Sequence, residues 1–302
     1  MGGGGSRRVT LVRGILIAIV IVIGGLLAFG ALHNTPPGRG GFDLVRSVPG
    51  QEAELWAVGD GDASPDGRRV ANMILASSVD RLLYLGDVYK HGKAVEFRAN
   101  YVPSYGRLAR ITAPTAGNHD WPNHESGYDR YWRLALGRSR TAAWYAFYAG
   151  GWQILSLNSE AAHDRGSPQE RWLRSRLRGS GTCTLAFWHR PRFSAGKHGD
   201  QDDVAPLWDA LRAKAAIVLN AHDHDMQRLR PIDGITQFVS GAGGRTLYDV
   251  DASDKRLAYS NDHSHGALRL RLRRGLASYE FISTTGRIQD SGRVRCQPER
   301  HR

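Results

Sequence analysis

One pattern recurs five times in this chain of 302 residues: a short apolar run, typical of a buried strand, ends directly in Asp, Asn or His. Polar side chains at the carboxyl ends of neighbouring parallel strands meet at one edge of a sheet. The pattern therefore predicts an α/β (α+β) fold with five loops that converge on one site. The five motifs are Gly59-Asp60, Gly86-Asp87, Gly117-Asn118-His119-Asp120, Trp188-His189 and His222-Asp223-His224.

The composition limits what can hold this site together. Hydrophobic residues make up 41% of the chain and charged residues 23%, which is enough apolar material for a packed core. Only two cysteines are present, too few for a disulfide-rich scaffold or a four-cysteine zinc site. Any bound metal must therefore be held by histidines and carboxylates.

The positive charge lies mainly near the two ends of the chain. The formal net charge is +12, and most of it comes from Arg7, Arg8, Arg13 and the arginine-rich segment 268–302. The interior of the sequence therefore lacks the basic face that nucleic-acid binding requires, and we expect no nucleic-acid partner.

Residues 14–32 form an uncharged apolar run of the length that a transmembrane helix needs. Because basic residues prefer the cytoplasmic side, residues 1–13 are predicted to be cytoplasmic and the rest to lie outside the cell membrane, on a single-pass anchor. The alternative is a cleaved signal peptide and a secreted protein, since small residues flank Phe29 in Ala28-Phe29-Gly30. Residues 33–50 are predicted to be a linker and residues 51–302 the folded domain.

Nine strands and one clear helix are predicted after the linker. The helix covers residues 168–178, where Ser167 can cap, Pro168 suits the first turn and Glu170 completes a capping box. The strands are Leu55–Val58, Arg81–Leu85, Ile111–Thr115, Trp152–Leu157, Thr184–Trp188, Ala216–Leu219, Thr236–Val239, Leu268–Leu272 and Ser278–Ile282.

The donor atoms at the strand ends are nitrogen and oxygen, which suit Fe, Zn or Mn. A catalytic zinc usually has three protein ligands, so six candidates favour two metal ions. Two metals about 3.5–4 Å apart can activate a water and hold both oxygens of a phosphoryl transfer. The six candidate ligands are Asp60, Asp87, Asn118, His189, His222 and His224.

In their order and strand context, the five motifs resemble the signature blocks of calcineurin-like metallophosphoesterases, in particular the purple acid phosphatase-like bacterial branch. The resemblance covers about residues 54–245. It implies a four-layer α/β/β/α sandwich that hydrolyses phosphate esters, preferably monoesters, by attack of a metal-bound hydroxide. Two alternatives remain: a phosphodiesterase acting on nucleotides or lipid head groups, and an inactive protein that binds metal or phosphate.

The resemblance also implies a role for each motif residue. Asp87 would bridge the two metals. Asp60 and His224 would hold one of them, and Asn118, His189 and His222 the other. His119 would stand beside the leaving group as an acid, oriented by Asp120.

Two positions depart from the family pattern near the metal ligands. Asp62 stands where the family often has His or Gly, and it could be either a metal ligand or a turn residue. In the purple branch a Tyr three residues after the bridging Asp binds ferric iron and gives the colour. Here Tyr89 comes one residue early and Lys90 takes its place, which favours a supporting or packing role for Tyr89.

Other residues have weaker signals. Arg228 could bind a phosphate or form a surface salt bridge, and His198 and His91 are predicted at the surface or the substrate rim. Gly241–Gly244 is predicted to form a tight turn rather than a phosphate cradle. Segments 121–148 and 190–205 would shape the pocket, with Trp121, Tyr128, Trp132 and Trp144 at its rim or in the core.

Cys183 and Cys296 are an even pair in a chain predicted to work outside the cytoplasm. We therefore expect them to form a disulfide that attaches the terminal segment to the sheet.

Overall fold

The computed structural model of the protein describes residues 1–2, 44–178 and 181–296. The chain divides into two compact units, residues 1–39 and 40–302, and the second contains every element below. The predicted membrane span at 14–32 and the linker up to residue 43 lie outside the described residues. Within the described ranges, no helix is long and apolar enough to cross a membrane.

The second unit is built on two mixed sheets, whose strands within the described residues are numbered along the chain. They are β1 (Glu52–Val58), β2 (Arg81–Tyr84), β3 (Thr112–Pro114), β4 (Tyr145–Ala149), β5 (Trp152–Ser156), β6 (Cys183–Phe187), β7 (Ile217–Asn220), β8 (Met226–Leu229), β9 (Thr236–Ser240), β10 (Leu257–Asn261), β11 (Gly266–Arg273), β12 (Leu276–Ser283) and β13 (Ile288–Arg295).

Each sheet has a parallel part that carries the site and antiparallel strands beside it. The first sheet has the order β13-β12-β11-β1-β2-β3, with β1, β2 and β3 parallel. The second has the order β10-β8-β9-β7-β6-β5-β4, with β5, β6, β7 and β9 parallel. All nine predicted strands are confirmed, and β4, β8, β10 and β13 are additional.

Successive side chains along β1 pack on opposite faces of the first sheet. Leu55 and Ala57 belong to the core between the two sheets. Trp56 and Val58 face the other way and pack in a cluster that includes the helix Pro65–Leu75. This period of two residues is what a strand buried on both faces produces.

The second sheet is layered in the same way. Leu185 and Phe187 lie in the core between the sheets, whereas Ala186 packs in an outer cluster with the helices Pro168–Leu177 and Ala205–Leu211. The predicted order of four layers, helix, sheet, sheet and helix, is therefore confirmed.

The helices cover the outer faces of the sheets. The predicted helix at 168–178 ends at Leu177, and the Ser167 hydroxyl accepts a hydrogen bond from the Glu170 amide (3.2 Å). The α-helical segments are Pro65–Leu75, Ala94–Glu96, Tyr128–Ala135, Pro168–Leu177 and Ala205–Leu211; a π-helical turn covers Phe97–Tyr101, and 3₁₀ turns cover Gly106–Ile111, Trp121–Asn123 and Asp202–Val204.

The folded domain begins before position 51, the predicted boundary. Leu44 and Val45 are buried in the core between the sheets, and the Val48 amide donates to the Tyr148 carbonyl (2.8 Å). The end of the predicted linker is therefore part of the domain, because its apolar side chains find buried positions against the sheet.

A disulfide joins the two sheets. Cys183 begins β6 of the second sheet and Cys296 follows β13 of the first, with Cα atoms 5.8 Å apart. The predicted pairing is confirmed, and it fixes the last strand of the domain to the centre of the other sheet.

Removing this bond is expected to destabilise the domain. It closes a loop across a sequence separation of 113 residues, and in the unfolded chain such a long loop loses much conformational freedom. The double variant Cys183→Ser, Cys296→Ser should lower the free energy of unfolding by about 2–5 kcal/mol. Urea unfolding at matched metal content measures it; an unchanged midpoint would contradict the prediction.

Candidate metal centre

The strand register brings the five motifs to one edge. Val58 pairs with Tyr84 and Tyr84 with Pro114, so β1, β2 and β3 end level with one another. In the second sheet, Phe187 pairs with Leu219, which aligns the ends of β6 and β7. The loops after these strands therefore begin side by side in each sheet.

The two sheets meet at this edge through close backbone contacts. The Gly59 amide donates to the Ser240 carbonyl (2.9 Å), and the Ser240 hydroxyl donates to the Ala57 carbonyl (2.9 Å). A Cβ at Gly59 would lie 2.4 Å from the Ala221 Cβ, so position 59 requires glycine once Ala stands at 221.

Three of the predicted ligands have a strained backbone. Asp60, Asp87 and His222 have φ values of 56°, 66° and 72°, in the left-handed region that residues with a side chain seldom adopt. Such strain clusters at functional sites, where the surrounding structure imposes it. Here it lets each strand end turn sharply enough to direct its side chain into the space between the sheets.

The first donor set surrounds one atom, Nε2 of His189. It lies 3.1 Å from Asn118 Oδ1, 3.2 Å from His222 Nδ1 and 3.4 Å from Asp87 Oδ2. The other ring nitrogen of His189, Nδ1, donates to the Leu85 carbonyl (2.8 Å), which leaves Nε2 free to bind a metal. Atoms that share one cation at about 2.1 Å lie about 3.0–3.4 Å apart, so the set fits a metal ion.

The second donor set surrounds the hydroxyl of Tyr89. This oxygen lies 2.7 Å from Asp60 Oδ1 and 2.8 Å from His224 Nε2. Nδ1 of His224 donates to the Thr246 carbonyl (2.8 Å), so Nε2 again faces the other donors. Tyr89 thus reaches the donor set although it stands one residue earlier than in the family pattern.

The two donor sets adjoin each other. Asp60, Asp87 and His189 each offer an atom within 4.8 Å of the others, and all three side chains are buried. Oxygen and imidazole donors of this kind suit a transition-metal ion. The residues present therefore fit a metal centre.

Burial and neighbouring charges shift the pKa values of the candidate ligands strongly. Burial, with repulsion from Asp87, raises the pKa of Asp60 to about 8 against the opposing charge of His189. Burial also opposes ionisation of Asp87, but attraction to His189 and then His119 outweighs it and holds that pKa at about 2. Asp87 in turn raises the pKa of His189 to about 10, against burial. Metal ligands must be deprotonated, so metal binding at these residues would release protons.

The two remaining histidine ligands are neutral at neutral pH. Burial, followed by repulsion from His189, lowers the pKa of His222 to about 2. Burial likewise lowers the pKa of His224 to about 4. Neutral imidazole is the form that binds metals, so both rings are ready to act as ligands.

Asp120 does not orient His119, which corrects the sequence prediction. Its carboxylate accepts hydrogen bonds from the backbone amides of Asp87, Val88 and Gly117 at 2.8–2.9 Å. Burial, with the charge of Asp87, raises the pKa of Asp120 to about 7 against those three amides. Asp120 is therefore buried and links the loops after β2 and β3 by hydrogen bonds.

His119 is oriented by a backbone carbonyl instead. Its Nδ1 donates to the Lys90 carbonyl (2.8 Å), and its Nε2 lies 3.9 Å from Asp87 Oδ2. The side chain is 36% exposed. His119 thus stands at the mouth of the centre with one ring nitrogen facing the donor sets.

Two other predicted residues have structural roles. Asp62 accepts from the Ser64 amide (3.0 Å) in a turn, which is the second of its predicted alternatives. Arg228 pairs with Asp290 through two hydrogen bonds of 2.7 and 3.1 Å, so its predicted salt bridge is the alternative that the structure contains. The charge of Arg228 is already matched, and we do not assign it to substrate.

The glycines after β9 let backbones approach closely. A Cβ at Gly241 would lie 2.0 Å from the Asp223 carbonyl oxygen, and one at Gly243 would lie 2.2 Å from the Gly59 carbonyl oxygen. The segment Gly241–Gly244 therefore packs against the loops that carry the candidate ligands, and it does not form the predicted tight turn.

The aromatic residues of segment 121–148 divide between core and surface. Tyr128 and Trp132 are buried in the outer cluster of the first sheet. Trp121 is partly exposed and stacks on His124, with ring centres 3.9 Å apart. Trp144 is also partly exposed and packs against the outer cluster of the second sheet.

Several rim residues were not predicted from the sequence. The Tyr248 ring stacks on His224 (4.0 Å between ring centres), and the Arg245 guanidinium lies 4.3 Å from the centre of the Tyr89 ring. His198, which was predicted at the rim, stacks on His222 (4.2 Å) and is exposed. Arg245 and Tyr248 lie in the loop that follows β9 but not directly at its end, so the strand-end rule that found the candidate ligands does not find them.

Comparison with known proteins agrees with this geometry. The sequence model of calcineurin-like phosphoesterases matches residues 43–226. No curated protein matches the sequence.

Solved structures share the fold at low sequence identity. GAP50, described as the anchor in the inner membrane complex of Plasmodium, has a TM-score of 0.63 at 13% identity over 82% of this chain and 89% of its own. The purple acid phosphatase PPD1 from yellow lupin seeds has a TM-score of 0.63 at 14% identity over 82% of this chain and 54% of its own, so this chain spans about half its length. A dimetal phosphatase from Danio rerio has a TM-score of 0.51 at 13% identity over 80% of this chain and 98% of its own.

Proposed function

Because this chain belongs to the calcineurin-like phosphoesterase family and is a metal-dependent phosphoesterase, we propose that it hydrolyses phosphate monoesters with two metal ions. The observation that carries the proposal is the pair of adjoining donor sets, one around His189 Nε2 and one around the Tyr89 hydroxyl. Two sets of donors match a dinuclear centre better than a single site.

Each donor set would hold one cation. Asn118, His189 and His222 hold the first, and Asp60, Tyr89 and His224 the second. Asp87 would be shared by both, since its Oδ2 belongs to the first set and it lies within 4.8 Å of Asp60. Bound there, the metals would lower the pKa of a coordinated water and neutralise charge on the phosphoryl oxygens.

His119 supplies the proton for the departing alcohol. Its Nδ1 is fixed by the Lys90 carbonyl, so Nε2 is the atom that carries a proton toward the substrate. Partial exposure allows the ring to exchange protons with solvent and to contact the leaving group. Asp87 Oδ2 lies 3.9 Å from this nitrogen, Nε2.

The charges at the rim favour a monoester over a diester. A monoester carries two negative charges at neutral pH and a diester one. Arg245 and Lys197 each lie against an aromatic ring at the centre and add positive charge there. A more highly charged phosphate gains more from those cations.

Turnover of two model substrates tests this proposal. With metal-loaded full-length protein, kcat/KM for p-nitrophenyl phosphate should exceed that for bis-p-nitrophenyl phosphate by at least about tenfold, or about 1.4 kcal/mol. A reversed order would support the phosphodiesterase alternative. Hydrolysis of neither substrate by protein with bound metal would support the inactive binding protein.

Tyr89 is expected to bind iron in the second donor set. Burial, with the charge of Asp60, raises the pKa of Tyr89 above its usual value, so only a strongly charged cation would ionise it. Protein reconstituted with ferric iron should absorb visible light, and Tyr89→Phe should lose the band. The matched variant Tyr248→Phe should retain it, because Tyr248 stacks on His224 without offering a donor atom. A band that survives in Tyr89→Phe would contradict this assignment.

We also propose that residues 14–32 anchor the protein in the cell membrane with the metal centre outside the cytoplasm. The Cys183–Cys296 bond supports this location, because disulfides persist in oxidising compartments. Sequencing the amino terminus of the mature protein distinguishes the anchor from the secreted alternative, in which cleavage would follow the apolar run.

A further inference from the structure

Two cationic side chains flank the second donor set. The Arg245 guanidinium lies 4.3 Å from the centre of the Tyr89 ring, whose hydroxyl is a member of the set. The Arg245 amide also donates to the Asp60 carbonyl (3.1 Å), which ties this backbone to a ligand. Arg245 is therefore held one ring away from the donor atoms.

Lys197 lies on another loop, one ring further from the same donor set. Its Nζ lies 4.4 Å from the centre of the Tyr248 ring, and that ring stacks on His224 at 4.0 Å. The ring of His198, the next residue, stacks on His222. Lys197 is exposed, so its charge is available to a molecule that approaches the centre.

Neither Arg245 nor Lys197 has its charge fully neutralised by a carboxylate of the described residues. The carboxylate paired with Arg245 is Asp62, 3.6 Å away, and the buried Nε of Arg245 has no hydrogen-bond partner in the described part of the chain. Lys197 has no carboxylate partner among the described residues. Arg228, by contrast, is held by two short hydrogen bonds to Asp290. Arg245 and Lys197 thus retain the capacity to bind an anion.

Arg245 and Lys197 lie beside the donor sets rather than within them. Two bound metal ions would face the reacting phosphate, and the two side chains would add two further charges next to it. We propose that Arg245 and Lys197 form a subsite for a second anionic group of the substrate. This inference rests on the proposed function and specifies it: the preferred substrates are phosphate esters whose alcohol carries another phosphate or a carboxylate.

Matched substrate pairs test the subsite. One pair is fructose 1,6-bisphosphate and fructose 6-phosphate, which differ by a phosphate; the other is 3-phosphoglycerate and glycerol 3-phosphate, which differ by a carboxylate. Wild-type full-length protein should prefer the more anionic member, and the pair with the larger preference identifies the anion. Lys197→Gln and Arg245→Gln should each reduce the preference about fivefold, as expected for a partly exposed charge contact. The double variant should reduce it further.

Control variants separate the subsite from general effects of charge. Lys255→Gln and Arg107→Gln remove exposed cations elsewhere and should leave the preference unchanged. Arg245→Lys should retain most of it, since the charge remains. A role of Arg245 in holding Tyr89 alone would slow both members of a pair equally and leave their ratio intact, which would overturn the proposal.

A binding measurement distinguishes failure of the anion subsite from failure of the proposed function. Calorimetric titration of the metal-loaded His119→Gln variant, which should keep its metal and turn over slowly, reports the binding preference for each member of a pair. Absence of hydrolysis by the wild-type protein, with selective binding intact, would count against the proposed function only. Equal binding of both members would refute the subsite.

Discussion

Replacing His119 by glutamine is expected to reduce kcat by about 10²- to 10⁴-fold, the range for loss of a general acid. The ring of His119 lies beside the centre: Nε2 is 3.9 Å from Asp87 Oδ2, Nδ1 donates to the Lys90 carbonyl, and the ring centre lies 4.6 Å from that of Tyr89. Glutamine can still donate a hydrogen bond but cannot release a proton to a leaving alkoxide. The metal content should therefore stay at the wild-type level while turnover falls.

The loss of activity in His119→Gln should depend on the acidity of the leaving alcohol. Esters of acidic alcohols, such as p-nitrophenol, need little protonation, so His119→Gln should impair alkyl phosphates far more than p-nitrophenyl phosphate. His263→Gln is the matched control, since its side chain is 86% exposed and pairs with Asp262. An equal loss on both substrates, or a parallel loss of metal, would show that His119 supports the centre rather than protonating the leaving group.

Replacing Asp87 by asparagine is expected to abolish activity and to release most of the metal. Asp87 has a φ of 66°, a conformation that Asn tolerates better than most residues, so the loop should keep its shape. The amide oxygen can still accept the His119 amide, which now donates to Oδ1 at 2.9 Å. The negative charge that the two cations would share is lost, and that charge is what the bridge supplies.

Asp66→Asn serves as the control for this variant, because Asp66 lies in the first turn of the helix Pro65–Leu75 away from the donor sets. It should keep both metal and activity. Retention of wild-type activity in Asp87→Asn would contradict the bridging role. An unfolded variant is recognised by its circular dichroism and would be replaced by Asp87→Glu, which keeps the charge but moves it.

The strands that could be predicted are the buried ones. The β6 strand is apolar on both faces because the core lies on one side and helices on the other, and a continuous apolar run has few other interpretations. Three of the four strands missing from the prediction, β4, β10 and β13, lie at sheet edges. β13 is largely polar and partly exposed along its length, so its sequence carries no apolar period to detect.

The candidate site was predictable where a strand end supplies the residue. Asp60 and His189 follow buried strands and lie where the topology places such ends. Tyr89 was uncertain because its place depends on the path of a loop, which spacing alone does not determine. The role of Asp120 also depends on the path of two loops: its three amide partners come from loops that are adjacent only in the folded chain.

The metal content of the full-length protein tests most directly whether the two adjoining donor sets hold a pair of metals. Elemental analysis after reconstitution with Fe, Zn or Mn should find about two equivalents in the wild type. His222→Ala and His224→Ala, which remove one donor from each set, should each retain about one. A single equivalent in the wild type, or no metal under any of these conditions, would contradict the account.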